Sequence, residues 1–288
     1  MAPHRDPLHT EKARVPELES AAARDLAAVR PPRFTGPLNL ALGALFLASL
    51  PAGFLLVDRF PLAALAVSPW LVCCFTGLFI LAHEAIHGTL WPGWPRLGHA
   101  CGRLFAFAYA SMDYGTLRAN HWEHHRAPGR DGDPDAHPGG RFLPHLAAFA
   151  LRYLRWWQVL ILVAAGNRLG EAGHTRAMLC AYVGPVVAST LVVFTVGIFL
   201  VHHPALLALG EADPRHRAVG VDLGPLGSLF AILFFNTHWL HHEHPQLTWV
   251  QLGLLRPREP RWLSLRAALG AVWLAPAPTA APAPPLLR

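Results

Sequence analysis

Three histidine clusters hold the densest chemistry in the chain. Leu81 to Gly88 reads LAHEAIHG, with His83 and His87 four positions apart. On a helix that spacing stacks both imidazoles on one face, close enough to hold one metal ion. HWEHH carries His121, His124 and His125, and HWLHH carries His238, His241 and His242. One HxxxH and two HxxHH segments supply eight imidazoles, too many for one ion and suited to two. Protonated and buried together they would repel one another; neutral, each offers a lone pair to a shared cation. Imidazole-rich sites suit iron, zinc, copper or nickel. Two irons can activate dioxygen and oxidise an unactivated C–H bond, whereas zinc has no redox chemistry.

Two shorter motifs compete for the same residues. HEAIH satisfies the HExxH pattern of zinc proteases, with Glu84 as general base. Such an enzyme needs a third ligand and has no use for two HxxHH clusters. His137 begins HPGG, the haem-binding motif of b-type cytochrome domains. That domain needs a soluble fold and a second axial histidine, and only a short hydrophilic segment is present. His137 reads instead as a neighbour of the metal site, beside Asp133 and Asp135, whose carboxylates could orient imidazoles. The plainer alternative is a charged, solvated loop. His4, His9, His99, His145 and His174 read as ordinary polar residues.

The elements that must position these clusters are apolar helices. Hydrophobic residues make up 53% of the 288 and charged ones 15%, against about 25% charged in soluble domains. Leu38 to Val57 is uncharged and long enough for a bilayer core of about 30 Å. Asp58-Arg59-Phe60-Pro61 makes a turn, and Pro61 to Ala82 is a second uncharged run that returns the chain to its starting side. Leu97 to Met112, interrupted by His99 and Arg103, reads as an interfacial helix. A short third span is expected from Phe149 to Ala165 with Trp156-Trp157 as an interfacial belt, then a loop from Asn167 to Arg176. Met178 to Val201 reads as the fourth span, and Leu223 to Phe235 as a re-entrant or interfacial helix delivering the third cluster. The fold class expected is therefore an all-α, four-span membrane protein with a cap of shorter helices over the metals. Its parts are a cytosolic arm over 1–34, a membrane-embedded domain over 35–270, and a disordered Ala/Pro tail over 271–288.

Charge fixes the orientation. Of 24 basic residues, Arg59, Arg168 and Arg176 fall in the two connections on one side, and the other 21 share a side with the clusters. The positive-inside rule puts that side, and both termini, in the cytoplasm. The sequence pI of about 9.7 reflects this face and not nucleic acid, because the arginines are scattered through loops. Four cysteines without CxxC spacing argue against a disulfide framework or a thiolate site. The polar first 30 residues do not read as a cleavable signal peptide.

The constellation resembles the membrane di-iron oxygenases of the fatty acid desaturase superfamily from about residue 38 to 253. Within it, FTGLFILAHEAIHGTL, HWEHHRAPGRDGDPDAH, RYLRWWQ, VGIFLVHH and HHEHPQLTW are similar to bacterial carotenoid ketolases. The resemblance implies eight box ligands, His202 as a ninth, and two iron ions. It departs at Glu84, where the family has aspartate, at Val201, where it has proline, and at Asn236, before the third box, which joins Asp133, Asp135 and His137 as residues expected around the ligands. Implied with it are dioxygen, a hydrophobic substrate from the bilayer, and a place in a bacterial inner membrane. No GxGxxG segment for a flavin or nicotinamide is present, so a ferredoxin-like donor on the basic face is expected. The substrate reading is β-carotene, ketonised at ring position 4. A fatty-acyl desaturase and, more remotely, a non-catalytic metal-binding membrane protein stand as alternatives.

Overall fold

The computed structural model describes residues 30–137, 140–255 and 261–274. The expected arm up to residue 29, the tail from 275, and Pro138-Gly139 of the HPGG segment lie outside the described residues. Three helices are long and apolar enough to cross a bilayer: Thr35–Arg59, Pro61–His87 and Thr175–Phe199. Their 25 to 27 residues reach roughly 37–40 Å at 1.5 Å per residue. We number the first α1 and the straight part of the second, Ala64–His87, α2.

α2 is the central element. It packs against α1 and the third long helix, and also against α3 (Pro95–Ala110). From Cys74 to Ile86 every residue is buried, which is why its sequence carries no polar stripe. Close approach to α1 depends on glycine, because a Cβ at Gly77 would occupy the position of the Phe46 ring. The helix ends at Gly88 in the left-handed region (φ 74°), with the Thr89 N–H returning to the Glu84 carbonyl at 2.9 Å. It thus runs five residues beyond the uncharged run and carries the first histidine pair on its last turns. After α3, α4 (Tyr114–Arg126) starts where Asp113 Oδ2 accepts the Thr116 N–H at 3.0 Å, and it carries the second cluster.

The expected third span is present as a bent pair of helices, a fourth crossing if the pair counts as one span. α5 (Phe142–Tyr153) and α6 (Trp156–Glu171) meet at a bend of 93°. Arg152 donates to the carbonyl of Asp133 (2.9 Å) and to that of Pro134, and the Tyr153 hydroxyl donates to Asp135 (2.6 Å). These bonds tie the end of α5 to the loop after the second cluster. α6 then restarts with the Gln158 side chain accepting the Arg155 N–H at 2.6 Å. The expected loop 167–176 is shorter as well, since α6 continues to Glu171.

α7 (Thr175–Phe199) contains two stretches of π-helix, Leu179–Val183 and Thr195–Phe199, and delivers His202 just past its end. After α8 (Pro204–Leu209), a two-stranded parallel ribbon of β1 (Gly220–Asp222) and β2 (Trp262–Ser264) is a small exception to the all-α expectation. α9 (Gly224–Ile232) stops short of the expected end, because Leu233 and Phe234 turn to φ 44° and 60°. That reversal leads into α10 (His238–Glu243), the third cluster. α11 (Trp249–Leu255) and α12 (Leu265–Leu269) follow.

A buried polar network locks the first cluster in place. Glu84 Oε2 accepts from Thr89 Oγ1 (2.8 Å) and from the Trp249 N–H (3.3 Å). Asn39 donates to the Leu90 carbonyl and accepts from Trp249 Nε1, both at 2.8 Å. α1, the end of α2 and α11 are thereby joined beneath His83 and His87. Glu84→Gln retains an acceptor for both bonds and should leave stability and metal content near wild type. Glu84→Leu strands the Trp249 N–H and should cost roughly 1–3 kcal/mol, read from thermal unfolding in detergent.

Candidate metal centre

The boxes converge as two groups of nitrogens. His83 and His87 of α2, His121 and His125 of α4, and His241 of α10 form one; His124, His202, His238 and His242 form the other. Within each group the nitrogens lie within 4.8 Å of one another. The HxxHH pattern has a geometric reason here. Residues four apart share a helix face, and the remaining histidine points to a different one. α4 sends the pair His121/His125 to the first group and His124 to the second. α10 does the reverse, sending His238/His242 to the second and His241 to the first. The α2 pair completes the first group, and His202 completes the second.

The donor set fits cations. Nε2 of His121 lies 3.0 Å from that of His83 and 2.7 Å from that of His87, and those of His125 and His241 are 3.0 Å apart. In the second group, His242 Nε2 lies 3.1 Å from that of His124 and 3.0 Å from that of His238. One ring proton cannot satisfy three converging nitrogens. An ion bound at about 2.1 Å to each would separate neighbouring nitrogens by roughly 3.0 Å at a right angle. His202 Nδ1–H donates to the Arg217 carbonyl at 2.8 Å, leaving Nε2 buried with no protein partner and its lone pair available. The groups adjoin, with His125 stacked on His242 at 4.5 Å.

Electrostatics keeps these rings neutral. Burial, reinforced by neighbouring imidazoles, holds His121, His238, His241 and His242 well below the ordinary histidine range. It pushes His125 down to about 2 and His202 to about 3. At neutral pH each therefore presents a lone pair without first losing a proton. His124 differs: burial lowers it, but the hydrogen bond to Asp133 and the charges of Asp135 and Asp133 together leave it raised. His124 Nδ1–H donates to Asp133 Oδ1 at 2.9 Å, which turns Nε2 toward the second group. The Asp133 carboxylate is held in turn by the N–H groups of Gly129 (2.6 Å) and Asp135 (2.8 Å).

Of the residues expected around the ligands, Asp133 alone bonds to one of the nine rings. Asp135 supports Asp133 and accepts from Tyr153. His137 stacks on His145 (5.8 Å between centroids), outside both groups. Asn236 donates to the Val221 carbonyl (2.7 Å) and to Ser228 Oγ (2.9 Å), fastening β1 and α9 ahead of α10. Two contributors carry no sequence signal: the Arg217 carbonyl that orients His202, and Phe235, whose ring packs at 4.7 Å against both His83 and His238. Glu84 is turned away from the metal groups by Thr89 and Trp249, so HEAIH lacks its protease base. Asp213, His216 and Glu243 also cluster, but at the surface, with Asp213 paired to Arg215 and Glu243 to Arg261.

A narrow cleft runs from the membrane helices to the imidazoles. His83 and His121 of one group and His124 and His238 of the other border it, and Phe79, Leu117, Phe149, Ile198 and Phe235 form apolar walls. Asp135 and Tyr153 add one polar spot. The free volume of the cleft is small, about 20 Å³, and its walls include imidazoles of both groups.

His202→Ala opens the second group and should lower bound metal from two equivalents per chain to about one. His137→Ala should retain both, as measured by metal analysis of protein purified without oxygen. Equal retention in the two variants would remove His202 from the ligand set.

Comparison with known proteins identifies the family. The fatty acid desaturase family matches residues 59–174. A β-carotene ketolase of Paracoccus sp. (strain PC1) is 34% identical over 200 residues, which cover 68% of this chain and 80% of that protein. A β-carotene ketolase of Paracoccus sp. (strain N81106 / MBIC 01143) is 31% identical over 207 residues, 71% of this chain and 84% of that one. The zeaxanthin 4-ketolase of Chlamydomonas reinhardtii is 34% identical over 189 residues, 63% of this chain and 41% of its own length. No solved structure matches the chain. The histidine boxes, the membrane helices that carry them and these identities together place the chain in the membrane fatty acid desaturase-like family, among the relatives of the bacterial β-carotene ketolases.

Proposed function

We propose that the chain is a β-carotene 4-ketolase, an oxidoreductase that converts a ring methylene of a carotenoid to a ketone. The observation that carries this reading is the 34% identity over 80% of the Paracoccus ketolase. The apolar cleft against both imidazole groups supports it. Nine histidines would hold two irons, five in one group and four in the other. When bound, the irons supply dioxygen-dependent oxidation of a C–H bond, which zinc could not.

The chain's own residues do the rest. Burial keeps the rings that present lone pairs neutral, and Asp133 fixes the orientation of His124. Phe79, Leu117, Phe149, Ile198 and Phe235 exclude water and would move apart to admit an apolar ring from the membrane side. Shape in this cleft selects the methylene, because apolar packing alone discriminates weakly. Two successive hydroxylations at one carbon give a gem-diol, and loss of water leaves the ketone. Each consumes dioxygen, two electrons and two protons. The electrons come from a ferredoxin-like carrier docking on the arginine-rich face, which is cytoplasmic in the inner membrane by the positive-inside rule.

Fatty-acyl desaturation is the second reading, favoured by the family match over residues 59–174. Expression in cells that accumulate β-carotene separates the two. The ketolase reading expects 4-keto carotenoids with the host acyl chains unchanged. New double bonds in the acyl chains with unaltered pigment would transfer the assignment to desaturation.

A further inference from the structure

Apart from the imidazoles, the cleft has one pair of polar side chains. Asp135 and Tyr153 border it beside His121 and His124, one imidazole from each metal group. Both residues are buried, at 5% exposure each. The Tyr153 hydroxyl donates to Asp135 Oδ1 at 2.6 Å, while Oδ2 accepts no hydrogen bond among the described residues. The pair is anchored on both sides. The Asp135 N–H bonds to Asp133, which holds His124, and the Asp135 carbonyl accepts from His145 Nε2 at 2.7 Å. The mutual bond offsets the cost of burying the two polar groups, and Oδ2 remains as an acceptor that an incoming hydroxyl can use.

A hydrocarbon ring offers that pair nothing. Because Tyr153 and Asp135 already satisfy each other in part, the hydrocarbon is not excluded either. The alcohol formed in the first turnover is different, since its O–H can donate to the free carboxylate oxygen and its own oxygen lies near a phenol. We propose that Asp135 and Tyr153 form a hydroxyl-recognition subsite that retains the half-oxidised ring, so that the second oxidation occurs at the same carbon before release. This rests on the ketolase reading. The first step is CH2 plus dioxygen, two electrons and two protons giving CHOH and water. The second repeats it on CHOH to give C(OH)2 and a second water, and dehydration yields C=O. The reductant is the one-electron carrier protein, and neither Asp135 nor Tyr153 changes oxidation state. They are specificity-determining residues, acting on how the intermediate partitions between release and further oxidation.

Tyr153→Phe tests this with the least disturbance, because it removes one oxygen and leaves the ring packed on Phe149 (4.7 Å between centroids). Asp135→Asn is the companion variant. Full-length proteins are expressed in β-carotene-producing cells, and the ratio of 4-hydroxy to 4-keto pigment is measured with the metal content of each purified protein. The expected result is two bound metals in both variants and a hydroxy-to-keto ratio raised roughly tenfold, the size of one hydrogen bond to a charged group. An unchanged ratio with metal retained overturns the subsite. An equal fall of both products with metal lost assigns the pair a structural role and also overturns it. A wild type that makes no oxidised carotenoid rejects the ketolase reading and the subsite with it.

Discussion

Nine imidazoles, six of them buried and three half-buried, crowd together in an arrangement suited to hold cations between them. Each ring has lost its water, and converging Nε2 atoms 2.7–3.1 Å apart cannot all share protons. A bound metal would take up these converging lone pairs, and its binding would favour the folded cap. The surrounding architecture is built to that requirement. α2 must end at His87, within reach of α4 and α10, and the network of Asn39, Glu84, Thr89 and Trp249 holds it there. The left-handed backbone at Leu233 and Phe234 and the π-helical end of α7 are further local irregularities close to the ligands. Strained backbone and π-bulges commonly gather at functional sites.

The donor set is chemically uniform, since carboxylates stay out of both groups. Asp133 acts one step back, through the far nitrogen of His124, and Glu84 acts through the backbone of α11. Asp133, bonded to His124, is the one carboxylate that touches a clustered ring among the described residues.

Much of this was legible in the residues. HxxxH and HxxHH spacing named eight of the nine clustered rings, and the uncharged runs located three long helices to within a few positions. His202 needed the family resemblance, because a histidine in VHH after a span has no spacing partner of its own. The bend between Tyr153 and Trp156 was not readable, since it is set by Arg152 and Tyr153 reaching a loop far along the chain. His137 looked like a neighbour of the site because it follows Asp133 and Asp135 closely, yet the turn carries it onto His145. Asn236, next to the third box, packs instead against β1 and α9. Sequence proximity to a ligand does not fix side-chain direction in a loop, whereas helical periodicity does.

Two metal ions held by nitrogen alone are the central expectation for this site. Its most direct test is metal analysis of protein purified without oxygen, combined with X-ray absorption at the metal edge. The account predicts two irons per chain, each with an imidazole-rich shell at about 2.1 Å. A single zinc per chain with no iron would contradict it.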